Sequence, residues 1–202
     1  MRSLTSLRLG RSLIRPNQLE TFLAESPNLK ELNLAWCENL WWGHFNFPEV
    51  DFEPKILVLN ALTFGFGLVE ALISRSESSL EELYLRNCSE EDDYDYSLEG
   101  LRLSNLKKLY LSELDISDDQ LTHLLMGAPN LDELELSNCI IHDALLLRDL
   151  SFMNLKTLDV GKSTIKADQL KGLLKNAKNL EELDLSYCKN LGDEGLGVLE
   201  LS

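Results

Sequence analysis

The chain has 202 residues, and its 19 lysines and arginines are outnumbered by 34 aspartates and glutamates, so the formal net charge at pH 7 is −15. A surface this acidic repels nucleic-acid phosphate and anionic lipid. No apolar run approaches the ~20 residues that a helix needs to cross a bilayer. Composition therefore argues against nucleic acid and membrane as partners, and it favours a protein ligand, a basic one above all.

A leucine hexad of the form L-x-x-L-x-L recurs along the whole chain. Its eight copies begin at positions 4, 29, 54, 80, 106, 131, 155 and 180, and only Pro54 and Val160 depart from leucine. A fixed step of this length indicates a solenoid, and this hexad followed by Asn or Cys is the signature of leucine-rich repeats. We predict an α/β solenoid: a curved right-handed arc with a parallel sheet on the concave face and helices or irregular segments on the convex face. Because the repeats use nearly all of the chain, residues 1–202 are expected to form a single domain.

The first repeat is rich in arginine, and residues 1–19 contain no acidic residue. Such a composition also fits a mitochondrial transit segment. However, the hexad that starts at Leu4 falls in register with the next one, and the segment lacks the continuous apolar stretch of a secretory signal. We interpret it as the first repeat and expect a cytoplasmic or nuclear protein.

Four of the segments that return from one hexad to the next show apolar residues at helical spacing, which predicts helices. These residues are Leu19/Phe22/Leu23, Leu68/Ala71/Leu72, Leu121/Leu124/Leu125 and Leu170/Leu173/Leu174. Asp118 should open the helix of the fifth repeat, and Asp168 should lie in the first turn of the seventh. Two return segments differ: residues 41–48 are aromatic and residues 90–96 are acidic. The aromatic segment is either a docking patch for a partner or a set of side chains that fills the space of a missing helix. The acidic segment either binds a basic peptide or is a solvated loop.

The four cysteines occupy one position of alternate repeats, three residues after the last leucine of the hexad: Cys37, Cys88, Cys139 and Cys188. Neighbouring strands are about 4.8 Å apart, so these cysteines should lie about 10 Å from one another. That separation is too large for a disulfide or a shared zinc ion. The three histidines lie in different repeats. We predict reduced, buried cysteines and no metal site.

The sequence contains no constellation typical of an enzyme. Gly65-Phe-Gly67 lacks the rest of a dinucleotide fingerprint, and no serine has a histidine partner at a matching height of the repeat. We therefore predict no catalytic residues, no cofactor and a non-enzymatic protein-binding module. The outward positions of the hexads run from basic through aromatic to acidic, although tyrosine also simply suits strand surfaces. The predicted partner-binding residues on the concave face are Arg8, Trp36, Tyr84, Arg86, Tyr110, Glu113, Glu135, Asp159, Asp184 and Tyr187.

The repeat itself resembles the cysteine-containing leucine-rich repeats of F-box proteins. The resemblance lies in the stretch LEELDLSYCKNLGDEGL at 180–196, in ISDDQL at 116–121 and in Pro-Asn-Leu at 27–29 and 129–131. It covers the whole chain and implies that the repeats hold a substrate for a ubiquitin ligase. In that family a separate helical F-box contacts the ligase adaptor. Here the first hexad begins at Leu4 with no F-box ahead of it, and cysteine appears only in alternate repeats.

Three alternatives therefore accompany the ligase interpretation. The chain is also compatible with an acidic leucine-rich scaffold, and with a chaperone or inhibitor that binds a basic protein without any connection to ubiquitin.

Any contact with a ligase adaptor should be made through a segment not present in these residues. Finally, the leucine core at both ends of the array should be covered by a partner, by a missing segment or by self-association.

Overall fold

The computed structural model describes residues 1–40, 52–64, 68–90, 100–114, 118–141, 150–192 and residue 197. Every hexad forms a strand of three residues centred on its middle leucine. In chain order these strands are β1 (Ser6–Arg8), β2 (Glu31–Asn33), β3 (Ile56–Val58), β5 (Glu82–Tyr84), β7 (Lys108–Tyr110), β8 (Glu133–Glu135), β9 (Thr157–Asp159) and β10 (Glu182–Asp184). Two shorter strands, β4 (Thr63–Phe64) and β6 (Ser89–Glu90), follow β3 and β5 and pair with each other.

The eight hexad strands form one sheet in which every pair is parallel and the order is β1-β2-β3-β5-β7-β8-β9-β10. The register places the middle leucines side by side, so that Leu57 lies between Leu32 and Leu83. The ladder continues beyond the strands, since the N–H of Leu34 donates to the carbonyl of Val58 at 2.8 Å. The predicted parallel sheet with one strand per hexad is confirmed.

The described part of the chain has four α-helices, all on return segments: α1 (Pro16–Glu25), α2 (Leu68–Arg75), α3 (Asp118–Gly127) and α4 (Ala167–Leu174). They contain every predicted helical spacing; Asp118 is the first residue of α3, and Asp168 lies in the first turn of α4. All four belong to repeats without cysteine. The aromatic residues 41–48 and the acidic residues 91–96 lie outside the described residues. No described helix has the length and apolarity needed to span a membrane.

Helices α1 and α4 begin in the same way. The side chain of Gln18 accepts the backbone N–H of Arg15 at 3.0 Å, and Gln169 accepts that of Lys166 at 2.8 Å. Such a contact satisfies an N–H at the helix start, and Pro16 supplies the backbone angle required there. Both helices therefore begin at a defined residue although neither has a Ser, Thr, Asp or Asn cap.

The hexad leucines form the core together with the apolar faces of the helices. Leu32, Leu57 and Leu83 are fully buried, as are Leu19 of α1 and Leu72 of α2. Burying a leucine side chain stabilises the fold by about 2 kcal/mol. The leucines of the first and eighth hexads are only partly buried, since β1 and β10 each have a single neighbouring strand in the sheet: Leu4, Leu7, Leu9, Leu180, Leu183 and Leu185.

Each cysteine thiol donates to a backbone carbonyl of the preceding repeat. Cys139 Sγ lies 2.9 Å from the carbonyl oxygen of Leu111, and Cys37, Cys88 and Cys188 make the same contact with their preceding repeats at 3.1, 3.2 and 2.9 Å. All four are free thiols. Burial raises the pKa of Cys88 and Cys139 to about 11. The prediction that all four are buried is wrong for Cys188, which is half-buried because its repeat lies at the edge of the sheet.

Asparagine side chains make a second set of contacts between repeats. The Nδ2 groups of Asn28, Asn105, Asn130 and Asn179, each just before a hexad, donate to carbonyl oxygens 26 or 27 residues earlier at 2.7 to 2.9 Å. Each amide adds a side-chain hydrogen bond from one repeat to the backbone of the preceding repeat. The asparagine of the Pro-Asn-Leu motif therefore fixes the register of one repeat on the next.

The residue two positions after the last hexad leucine has a left-handed backbone in every repeat, with φ between 53° and 61°. These residues form the turn column: Arg11, Trp36, Ala61, Asn87, Glu113, Asn138, Lys162 and Tyr187. The conformation costs about 1–2 kcal/mol for residues other than glycine. In the first seven repeats the N–H of the turn residue donates to a carbonyl of the next repeat, as from Ala61 to that of Arg86 at 2.8 Å, and this bond supports the conformation.

Candidate functional site

The two residues that flank the middle leucine of each hexad strand lie on the face of the sheet opposite the core, here called the outer face. On β5, for example, Leu83 is buried while Glu82 and Tyr84 are half-buried. Strands about 4.8 Å apart bring the side chains of adjacent repeats into contact. The row nearer the turn column consists of Arg8, Asn33, Val58, Tyr84, Tyr110, Glu135, Asp159 and Asp184.

Two tyrosines stack at the centre of the outer face. The rings of Tyr84 and Tyr110 have centroids 4.6 Å apart and an interplanar angle of 14°. Their hydroxyls donate to carboxylates on the outer face, that of Tyr84 to Glu82 Oε2 at 2.7 Å and that of Tyr110 to Glu133. Burial and the hydrogen bond to Glu82 raise the pKa of Tyr84 to about 12, and burial with the Glu133 contact also raises the pKa of Tyr110. Both rings are thus held in one orientation.

Arg86 crosses this stack from the turn after β5. Its guanidinium carbon lies 4.7 Å from the ring centroid of Tyr110, and its Nη2 group pairs with Glu135 on β8. Its Nε atom is shielded from solvent and has no hydrogen-bond partner among the described residues. A cation placed over a tyrosine face is attracted by the ring quadrupole. Arg86 therefore joins Tyr84, Tyr110 and Glu135 into one cluster, the tyrosine–arginine cluster.

Four carboxylates of the first six repeats form an ion pair with a cation one or two repeats away. Besides the pair of Arg86 with Glu135, the ion pairs are Arg8–Glu31 at 2.7 Å, Lys55–Glu81 at 2.5 Å and Lys108–Glu133 at 3.1 Å. The hydrogen bond from Arg8 lowers the pKa of Glu31. For Glu133, burial opposes the shift, but hydrogen bonds from Tyr110 and Lys108 hold the pKa below its ordinary value.

The last three strands carry an acidic ladder, defined as Glu135, Asp159 and Asp184. The register places Asp159 directly beside both of the other two. Among the described residues, neither Asp159 nor Asp184 forms an ion pair with a lysine or arginine. Burial raises the pKa of Asp159, and the charges of Asp184 and Glu135 add to that shift. Hydrogen bonds from Ser186 lower the pKa of Asp184.

The opposite end of the outer face is cationic. Arg8 directs Nε and Nη2 to Glu31, yet 71% of its side chain is exposed. Arg11 follows in the turn column, and its guanidinium lies 5.7 Å from the ring centroid of Trp36. Trp36 remains 46% exposed. This end therefore presents arginine and an accessible aromatic ring.

The structure brings four of the predicted partner-binding residues together in the tyrosine–arginine cluster and places Asp159 and Asp184 beside it. Arg8 lies at the far end of the same face. The other three predicted residues, Trp36, Glu113 and Tyr187, lie on the exposed turn column along its rim. The sequence prediction missed Glu82 and Glu133, which accept the tyrosine hydroxyls. Period-2 alternation on the strand would have revealed both, since each lies two residues from an outward position already identified.

The comparisons agree with this architecture. A family described as the leucine-rich repeats of the FBD-associated F-box protein At5g56370 matches residues 57–144, and a general leucine-rich-repeat family matches residues 25–40 and 176–199. The chain is built of leucine-rich repeats. No curated protein matches it significantly.

Among solved structures, the repeats are similar to an internalin (inlF) from Listeria monocytogenes, with 19% sequence identity and a TM-score of 0.45. The match covers 92% of this chain and 61% of the internalin. The chain thus corresponds to less than two thirds of that protein's length.

Proposed function

We propose that this leucine-rich-repeat chain is a non-enzymatic protein-binding module and that the outer face of its sheet receives the partner. The tyrosine–arginine cluster carries the proposal. Tyrosine and arginine are the residue types that contribute most to protein interfaces. Stacking and hydrogen bonds already fix the side chains of Tyr84, Tyr110 and Arg86, so little side-chain entropy is lost when a partner covers them.

The partner is proposed to be a substrate of a ubiquitin ligase of the F-box type. The match of residues 57–144 to repeats of an F-box protein supports this role. The cysteine position and the Pro-Asn-Leu motif, on which the family resemblance rests, both make contacts between repeats in the structure. In this proposal the repeats select the substrate, and a segment outside these residues contacts the ligase adaptor.

The test compares two double variants as baits in a eukaryotic lysate. Tyr84→Ala/Tyr110→Ala removes the stacked rings, whereas Met126→Ala/Met153→Ala removes two side chains that are 59% and 67% exposed and lie away from the outer face. We expect a specific partner to be captured by the native chain and by the methionine variant and lost from the tyrosine variant. Capture by the tyrosine variant would move the binding site to residues 41–48 or to the acidic segment 90–96.

The ligase role is tested separately on the captured partner. If it is a substrate, its ubiquitination should fall and its lifetime should lengthen in cells that carry only the Tyr84→Ala/Tyr110→Ala variant. A partner whose turnover does not respond to the variant would be a binding partner without a ligase connection. Binding by the outer face would then stand, and the F-box proposal would fail.

A second candidate function is an acidic scaffold, chaperone or inhibitor for a basic protein. The net charge of −15 favours it, as do the carboxylates of Asp159 and Asp184, which form no ion pair with any residue that the structure describes. Salt distinguishes the two candidates, because at about 0.5 M the Debye length is only ~4 Å. Binding driven by charge would be lost there, whereas binding centred on the tyrosine rings would be largely retained.

A further inference from the structure

The sign of the charge on the outer face changes from one end of the sheet to the other, from β1 to β10. At β1 the face presents the exposed guanidinium of Arg8, and Arg11 lies beside it in the turn column. In the middle lie the stacked tyrosines, beside the ion pairs of Lys108 with Glu133 and of Arg86 with Glu135. Beyond them the acidic ladder continues to β10. Lys162 lies in the turn column after β9, but neither Asp159 nor Asp184 forms an ion pair among the described residues. The face is therefore positive at one end, aromatic in the middle and negative at the other.

We infer that the outer face binds an extended segment of its protein partner that crosses the strands in a fixed direction, with its cationic half over β8 to β10 and an anionic end over β1. This inference rests on the proposed protein-binding function and specifies the chemistry of the ligand. Eight strands have seven spacings of ~4.8 Å, or roughly 34 Å in all, which about ten extended residues would cover.

The negative end is shaped to receive an arginine or lysine. A Cβ placed on Gly161 would lie 3.1 Å from Oδ1 of Asp159 and 3.5 Å from Oδ1 of Asp184. These two oxygens accept the backbone N–H groups of Gly161 and Ser186, which holds the carboxylates close together, and glycine leaves no side chain between them. Asp184 is exposed and Asp159 half-buried, so a cation can reach both. Its arrival would offset the repulsion from Asp184 and Glu135, which adds to the effect of burial in raising the pKa of Asp159.

Within the chain itself, one guanidinium already pairs with a carboxylate of the acidic ladder. Arg86 lies over the ring of Tyr110 and pairs with Glu135, the carboxylate that begins the acidic ladder. A partner cation over Asp159 and Asp184 would continue the same row by one or two strands. The order of charge along the partner is then set by Arg8, which repels a cationic residue placed over β1.

Two labelled synthetic peptides of about ten residues and identical composition test the inference. In the block peptide, acidic residues occupy one end, tyrosine the middle and basic residues the other end; in the alternating peptide, the same charges are mixed. We expect fluorescence anisotropy to show binding of the block peptide at least about fivefold tighter than that of the alternating peptide. Equal affinities, or no binding of either peptide, would overturn the inference.

Matched charge variants locate the cationic half. Asp159→Asn/Asp184→Asn should weaken the block peptide by about fivefold or more, because it removes the carboxylates while keeping the turn. Asn33 shows that asparagine is tolerated there, since its Oδ1 accepts the N–H of Ala35 at 3.0 Å as Asp159 accepts that of Gly161 at 2.8 Å. The control Glu25→Gln/Asp119→Asn removes the same charge from helices α1 and α3 and should leave the affinity unchanged.

Direction is tested with a photo-crosslinking residue at either end of the block peptide. The basic end should label β9 and β10, and the acidic end should label β1 and β2. Labelling of the same strands from both ends would overturn the fixed direction. If the tyrosine variant loses its natural partner while the block peptide shows no preference, this inference fails and the proposed binding function stands.

Discussion

The left-handed turn column predicts an unusual response to glycine. Ala61 has φ of 53°, a conformation that costs about 1–2 kcal/mol for alanine and little for glycine. Replacing Ala61 by glycine removes this cost, but two effects offset part of the gain in stability. The greater entropy of the unfolded glycine chain lowers the free energy of unfolding by about 0.5–1 kcal/mol, and the half-buried methyl group is lost. The N–H bond to Arg86 is unaffected. Ala61→Gly should therefore increase the free energy of unfolding by about 0.5 kcal/mol.

The matched control is Ala71→Gly, the same chemical change inside helix α2. There the backbone is an ordinary helix, and glycine should lower the free energy of unfolding by about 1 kcal/mol. Urea unfolding followed by circular dichroism measures both, with equal m-values indicating that the unfolded states are comparable. The two variants should differ in the sign of the change.

The stability gains from glycine at several turn positions should also add. Ala61, Glu113 and Lys162 belong to alternate repeats, so their turns are separated by two strand spacings, about 10 Å, and their contributions should add. The triple glycine variant should gain about 1.5–2 kcal/mol, or roughly 3–8 °C in Tm. Losses from Ala61→Gly as large as those from Ala71→Gly would refute the reasoning, because they would show that these turns store no backbone strain.

Three further predictions concern the cysteines, the acidic ladder and a close helix contact. Cys139→Ser should lower the free energy of unfolding by about 1–3 kcal/mol and Cys188→Ser by less, because only the former thiol is buried; equal losses in urea titrations would contradict this. Asp159→Asn should stabilise the fold at pH 7 by about 0.5 kcal/mol, because a raised pKa means that folding disfavours the charged carboxylate. This gain should vanish below the pKa of the unfolded chain, near ~4, where the carboxyl group is protonated in both states. A gain that persists in acid would contradict this cause. Gly127→Ala would bring a Cβ within 2.6 Å of the Leu101 carbonyl oxygen and should cost about 1–3 kcal/mol by thermal unfolding, whereas an unchanged Tm would show that this contact relaxes freely.

The spacing of the hexads was sufficient to predict the sheet. Because side chains alternate along a strand, leucines at the fourth and sixth hexad positions must point to one side, and a step of 24 to 26 residues leaves only a parallel connection back to the next strand. The strands are nevertheless shorter than the hexads: β5 is Glu82–Tyr84, whereas its hexad extends from residue 80 to 85. The extra residues lie in the flanking turns, which continue the same hydrogen-bond ladder.

The turn column could not be predicted from residue type. Glycine and asparagine are the usual signals for a left-handed backbone, but only Asn87 and Asn138 carry such a signal, and the other positions include tryptophan, glutamate and lysine. In the first seven repeats the conformation is supported by N–H bonds to the next layer. Local preference is overridden by a contact about 25 residues away, as from Trp36 to the carbonyl of Asn60.

The candidate site was predictable in part. The row that contains Tyr84, Tyr110 and Glu135 follows directly from strand register. The path of Arg86 does not, since its side chain crosses the neighbouring strand to reach a carboxylate 49 residues away in sequence. Register places side chains in rows, but it does not specify which long side chain bridges two rows.

The thiol contacts between layers also define a structural unit of two repeats. The cysteines are separated by 51, 51 and 49 residues, so a pair of repeats is the smallest block that reproduces both a cysteine layer and its neighbour. Each contact reaches only the preceding layer. Duplication or deletion of one such pair would leave every remaining donor with an acceptor, and the array can therefore lengthen or shorten in steps of two without redesign of its core.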